Sequence, residues 1–130
     1  MKLLLDTHIW LWSLLDPSKL APRVDKALRD PGNELWLSPV SVWEALLLQE
    51  RGRLRLEAAP DAWIEEALRA APMKEAPLTH AIARASASID LPHRDPADRF
   101  LAATATVLDL TLVTADQRLI GHEGFRALAN

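Results

Sequence analysis

HRDPADRFLAATA, residues 93–105, puts two carboxylates, Asp95 and Asp98, three positions apart at the opening of an alanine-rich helix. With Asp95 as N-cap and Pro96 as the first helical residue, the missing proline N–H costs nothing and its φ is already helical. Asp98 then falls in the first turn, where negative charge complements the helix dipole. Phe100, Leu101, Thr104, Val107 and Leu108 supply an apolar stripe, while Ala102, Ala103 and Ala105 let a neighbouring element approach closely. Capping by itself accounts for both aspartates, so their meaning depends on the other acidic residues.

Downstream, DLTLVT (109–114) is β-branched and apolar and predicts a strand, with Asp116 two residues beyond it. Residues 125–128 predict a last edge strand. Upstream, the apolar run 2–5 predicts a strand buried on both faces, with Asp6 at its carboxyl end. A helix follows from His8, carried by Ile9, Leu11, Trp12 and Leu15 and stopped by Asp16-Pro17-Ser18. A second helix covers 20–29, and Asp30-Pro31-Gly32-Asn33 is a turn before a short strand at 34–37. Ser38-Pro39 then opens a helix that places Glu44 in its second turn and ends near Gly52. In a competing register Ser41 is the cap and Glu44 its capping-box partner. The remaining pattern gives a helix over 61–70, a short edge strand at 73–76, and a helix from the cap Thr79 to about residue 89.

A length of 130 residues suits one domain spanning 1–130. The absence of cysteine excludes disulfides, thiolate zinc sites and iron–sulfur clusters. The apolar start MKLLLDTHIWLWSLL is broken by Asp6 and His8, so it reads as a first strand rather than a signal peptide, and its uncharged stretch 7–15 is too short for a bilayer. A cytoplasmic location is the resulting expectation. A net charge of −3 argues against holding nucleic acid by bulk electrostatics, although not against a local site. Arg51, Arg53 and Arg55 are the densest positive run, read either as solvated surface or as a phosphate-contacting patch. Of the five tryptophans, Trp36 is expected in the core; Trp10 and Trp12 cannot share one helical face, so one of them is expected to meet a partner. His8 reads as a helix-start residue, and His80 and His122 have no evident partners.

Strands alternating with helices imply a mostly parallel sheet covered on both faces, whose ligand site lies beyond the carboxyl ends of the strands. Asp6, Glu44, Asp98 and Asp116 all converge on that edge. Carboxylates so close repel by about 4 kcal/mol for a pair 4 Å apart at an effective dielectric near 20, so a cation belongs between them. Hard oxygen donors point to Mg2+ or Mn2+, and such an ion suits phosphodiester hydrolysis. Without metal, Asp98→Asn is expected to raise the melting temperature by relieving this crowding.

The order LLLDTHIW (3–10), SPVSVWE (38–44), HRDPADRFLAATA (93–105) and LTLVTAD (110–116), with ERGRLRL (50–56) and the Trp63 helix, resembles the PIN-domain family, specifically the VapC-type ribonuclease toxins of bacterial toxin–antitoxin pairs. The resemblance implies a three-layer α/β/α sandwich and Mg2+- or Mn2+-dependent RNA cleavage. It puts the four family acidic positions on Asp6, Glu44, Asp98 and Asp116, with Asp95 left as cap and Thr114 as a partner that orients a metal ligand or water. It also implies a homodimer and a cognate antitoxin whose tail crosses the active-site groove. Two alternatives stay open: a housekeeping RNA-processing nuclease of the same fold, and a non-catalytic binding module. A kinase loop at His93-Arg94-Asp95 is excluded because Phe100 stands where Asn is needed, and an aspartyl-phosphate site is excluded because His8 stands where a second Asp is needed.

Overall fold

The computed structural model describes residues 1–92 and 94–130; His93, the first residue of the stretch 93–105, lies outside them. Chain order is β1 (Lys2–Leu5), α1 (Thr7–Leu15), α2 (Pro22–Arg29), β2 (Glu34–Leu37), α3 (Pro39–Glu50), α4 (Pro60–Ala70), β3 (Lys74–Glu75), α5 (His80–Ser86), α6 (Pro96–Val107), β4 (Thr111–Thr114) and β5 (Arg126–Ala129). Single 3-10 turns follow α1 at Pro17–Lys19 and β4 at Gln117–Leu119. The strands form one sheet in the order β3-β2-β1-β4-β5, with every pairing parallel.

Because side chains alternate across a strand, β1 sends Leu3 and Leu5 to one face and Leu4 to the other. The first face packs with Ile9, Trp10, Val24, Ala45 and Ile64, drawn from α1 to α4. The second packs with Leu101, Ala102 and Ala105 of α6, together with Leu91, Leu119 and Phe125. All three β1 leucines are at most 2% exposed, which explains an uninterrupted apolar run where a half-exposed strand would alternate. The result is the expected three-layer α/β/α arrangement. No helix among the described residues is long and apolar enough to cross a membrane.

Several boundaries differ from the sequence expectation for local reasons. Pro22 sets the first turn of α2, which begins two residues later than expected, and α5 stops at Ser86 rather than near residue 89. Asp109 takes a positive φ of 55° just past the end of α6 and Leu110 N–H bonds back to Ala105 O, so β4 starts only at Thr111. On α6 the buried surface is made by Ala97, Asp98, Leu101, Ala102, Ala103, Thr104 and Ala105, while Val107, expected in the stripe, is exposed. Small residues therefore carry the contact, which lets α6 lie close against the sheet and α5.

The tryptophans are also redistributed. Trp10 is fully buried and meets the edge of Trp63, with ring centroids 6.2 Å apart. Trp36 is only half-buried, its Nε1 donating to Glu34 and the Lys74 ammonium lying over its ring. Trp12 is half-buried beside His8 and Lys19, and Trp43 is the exposed one. His122, without a partner in the sequence reading, has Nε2 2.7 Å from Arg118 O and stacks on Phe125.

Candidate acidic site

The chain leaves β1 in one direction across the sheet, to β2 and β3, and returns on the other side of β1 to β4 and β5. At such a reversal the crossovers part and leave a crevice beyond the strand ends. A cleft of about 340 Å3 opens there, lined by Asp6, His8, Trp12, Glu44, Asp95, Asp98, Ala115, Asp116 and Arg118. Asp6 follows β1 and Asp116 follows β4, while Glu44 and Asp98 come from helices that begin at the same edge. The structure thus gathers the four expected carboxylates, with Asp95, around one opening.

Asp6 is the N-cap of α1 and is buried. Its Oδ1 accepts from Thr7 N–H at 2.7 Å and its Oδ2 from the Thr114 hydroxyl at 2.6 Å. Burial pushes its pKa up, and these two hydrogen bonds pull it partly back. Thr114 also accepts the Asp116 backbone N–H at 3.0 Å, so one hydroxyl fixes the Asp6 side chain and the backbone of Asp116.

The competing register for α3 is overturned. Ser38 is the cap, accepting from Val40 N–H at 3.1 Å, and the capping-box explanation of Glu44 falls with it. Glu44 instead accepts from the Thr7 hydroxyl at 2.5 Å, and Thr7 Oγ1 lies 3.0 Å from Ser41 Oγ. A hydroxyl has one proton, so with the carboxylate taking that of Thr7, Ser41 donates to Thr7. Burial, followed by the charges of Asp6, Asp98 and Asp95 against this one bond, pushes Glu44 up to about 7.

On α6, Asp95 is the cap, its Oδ1 accepting from Ala97 N–H at 3.0 Å and Asp98 N–H at 3.4 Å. Asp98 is buried in the first turn. Across the cleft, Arg118 grips Asp116 through Nε and Nη2, the closest approach being 2.8 Å, and its Nη2 stands 3.8 Å from Asp98 Oδ2. Arg118, Thr7 and Ser41 escape a reading of the sequence. Arg118 reaches the site only because Asp116 caps the 3-10 turn at Gln117–Leu119 and folds its neighbour back; an arginine two positions from an aspartate is too common a pattern to signal this.

Of the expected basic run, Arg51 lines a second hollow that shares Glu44 and Asp95 with the cleft. Arg53 and Arg55 line neither and stay exposed. His8 is exposed at the rim, 5.7 Å from the Trp12 ring.

The donor set consists of carboxylate and hydroxyl oxygens and is crowded enough to hold one carboxyl near neutrality, which fits a hard divalent cation. Among the described residues no three acidic or imidazole side chains are close enough to ligate one ion together.

The family model described as PIN domain matches residues 3–123. Ribonuclease VapC22 of Mycobacterium tuberculosis is 30% identical over 122 residues, covering 92% of this chain and 90% of that protein. Among solved structures, VapBC2 from Rickettsia felis bound to a DNA fragment from its promoter aligns with a TM-score of 0.72 at 12% identity, covering 99% of this chain and 98% of that one. A toxin-antitoxin complex from Klebsiella pneumoniae aligns with a TM-score of 0.64 at 19% identity, covering 97% and 95%. At these identities the two structures establish the likeness of fold.

Proposed function

The chain belongs to the PIN-domain family, and we propose that it is a Mg2+- or Mn2+-dependent endoribonuclease acting as the toxin of a toxin–antitoxin pair. The observation that carries this reading is the convergence of Asp6, Glu44, Asp98 and Asp116 on one cleft at the reversal of strand order. The ribonuclease name of the mycobacterial relative supports RNA as substrate. The toxin-antitoxin complex among the structural neighbours supports a cognate antitoxin as partner, and family resemblance adds a homodimer.

In this reading Asp6, Glu44, Asp98 and Asp116 hold the ion, directly or through water. When bound, the ion supplies Lewis acidity and neutralises phosphate charge at the scissile bond. The chain's own residues prepare the place. Thr7 N–H and the Thr114 hydroxyl fix both oxygens of Asp6, so that this carboxylate needs no reorganisation. Glu44, raised to about 7, would hold the ion as a carboxylate, and the Thr7 hydroxyl would stabilise that charged form. Arg118 neutralises part of the Asp116 and Asp98 charge and exchanges those contacts for phosphate oxygens.

The purified protein, free of any partner, should yield discrete fragments from total RNA in Mn2+ or Mg2+ and none in EDTA. Asp98→Asn should lose more than the roughly 10- to 100-fold that removing an outer-shell partner costs. Metal-dependent fragments unaffected by Asp98→Asn would refute the site, and intact RNA in every lane would refute the activity. Expression in cells should arrest growth with the parent chain but not with Asp98→Asn.

A further inference from the structure

Beside the acidic cleft, and continuous with it through Glu44 and Asp95, lies a hollow of about 310 Å3 between α3 and the N-terminus of α6. Its walls are Trp43, Leu47, Leu48 and Arg51 on one side and Pro96 and Ala97 on the other. Trp43 is 51% exposed, although it adjoins Glu44 in sequence and other tryptophans of this chain are buried or half-buried. The exposed half of a large aromatic gains nothing for the fold, since its stabilisation comes from area removed from water. Arg51, which caps the end of α3, stands eight residues further along, about 12 Å at 1.5 Å per residue. It is exposed and lines the hollow.

We propose that this hollow is a nucleobase subsite, in which an unpaired base flanking the scissile phosphodiester stacks on the Trp43 indole while Arg51 meets a backbone phosphate of the same strand. The inference rests on the nuclease reading above and adds how the strand is held. Glu44 and Asp95 at the boundary repel a phosphate, but they tolerate a base, which is neutral and whose exocyclic amines donate hydrogen bonds to carboxylates. The phosphate is sent instead to the guanidinium at the far end. Continuity with the cleft and this separation of charge favour RNA over a protein segment. Only an unpaired nucleotide can present a base face to an indole, so the subsite selects single strands. Stacking is tolerant of base identity, so it supplies affinity and register more than sequence choice.

The test uses the full chain carrying Asp98→Asn, with a 12-nucleotide single-stranded RNA of mixed sequence and its abasic derivatives in Mg2+. The added substitutions are Trp43→Leu and Arg51→Gln, both at exposed positions outside the metal-holding set. Trp43→Leu should weaken binding roughly 5- to 150-fold, the range of one base–aromatic stack, and abolish the penalty of one abasic position. Arg51→Gln should flatten the log–log salt dependence by about 0.7, the value of one phosphate on a single strand. Affinity within twofold of the parent for Trp43→Leu, or an unchanged salt slope for Arg51→Gln, overturns the proposal. A change confined to the sedimentation of Trp43→Leu, with RNA affinity intact, also overturns it and makes the face a protein contact. Cleavage of the same RNA by the chain without Asp98→Asn is scored separately, so that loss of the nuclease reading and loss of the subsite are told apart.

Discussion

Glu44 is where the cost of assembling the acidic cleft is most visible. Its carboxyl, about 4.5 in an unfolded chain, is pushed up to about 7 by burial and by neighbouring charge. A raised folded-state pKa contributes stability that is fully present below about 4.5 and is lost as pH rises through about 7. Asp6 is shifted in the same direction. In EDTA, Glu44→Gln should therefore match the parent near pH 4.5 and exceed it above pH 7, by about 1–2 kcal/mol once the shift is discounted for solvent screening. Thermal unfolding across that window checks it, and a variant less stable than the parent at pH 8 would contradict the sign. Glutamine keeps an oxygen to accept from Thr7, so the comparison isolates charge. Glu44 is a better probe of crowding than Asp98, because Arg118 lies 3.8 Å from Asp98 and offsets part of its charge.

The start of α6 joins two uses of acidic residues that spacing cannot separate. Asp95 accepts backbone N–H groups, whereas Asp98 turns its carboxylate toward Arg118 and the cleft. Asp95→Ala should cost about 1 kcal/mol of stability, and Asp95→Asn should restore it together with metal-dependent cleavage. Cleavage lost in Asp95→Asn at normal stability would move Asp95 into the metal-holding set. The caps Ser38, Thr79 and Asp95 were legible because each signal lies within three residues of the group it satisfies. The strand β1 was legible because burial on both faces writes an unbroken apolar run. The end of α6 was not, since a non-glycine residue at positive φ, Asp109, carries no strong local signature. Nor could pattern alone rank Trp10 above Trp36 for burial; that depends on which helices close over each face. In the acidic site the four carboxylates were readable from their places at strand and helix ends, but the hydroxyls of Thr7 and Ser41 were not, because their bonds span more than thirty residues.

For the molecule as a whole, the proposed ion site would couple metal to folding. An ion that binds only the folded chain adds about 2.7 kcal/mol at a hundredfold excess over its Kd. The gain from Mn2+ should be larger at pH 8 than at pH 6, because Glu44 must release its proton to admit positive charge. Thermal shifts at the two pH values test this, and a gain that is equal or reversed would remove Glu44 from the site. The sheet order has a consequence in time as well. β1 lies between β2 and β4, and Asp6 takes its hydrogen bond from Thr114 at the far end of the chain's connectivity. At 5–20 residues per second of synthesis, the 110 positions from Asp6 to Asp116 take on the order of 5–20 s to emerge. Through that interval the growing polypeptide carries Asp6 and then Glu44 but no cleft, so the ribosome making it is not exposed to a finished site until the second side of the sheet arrives.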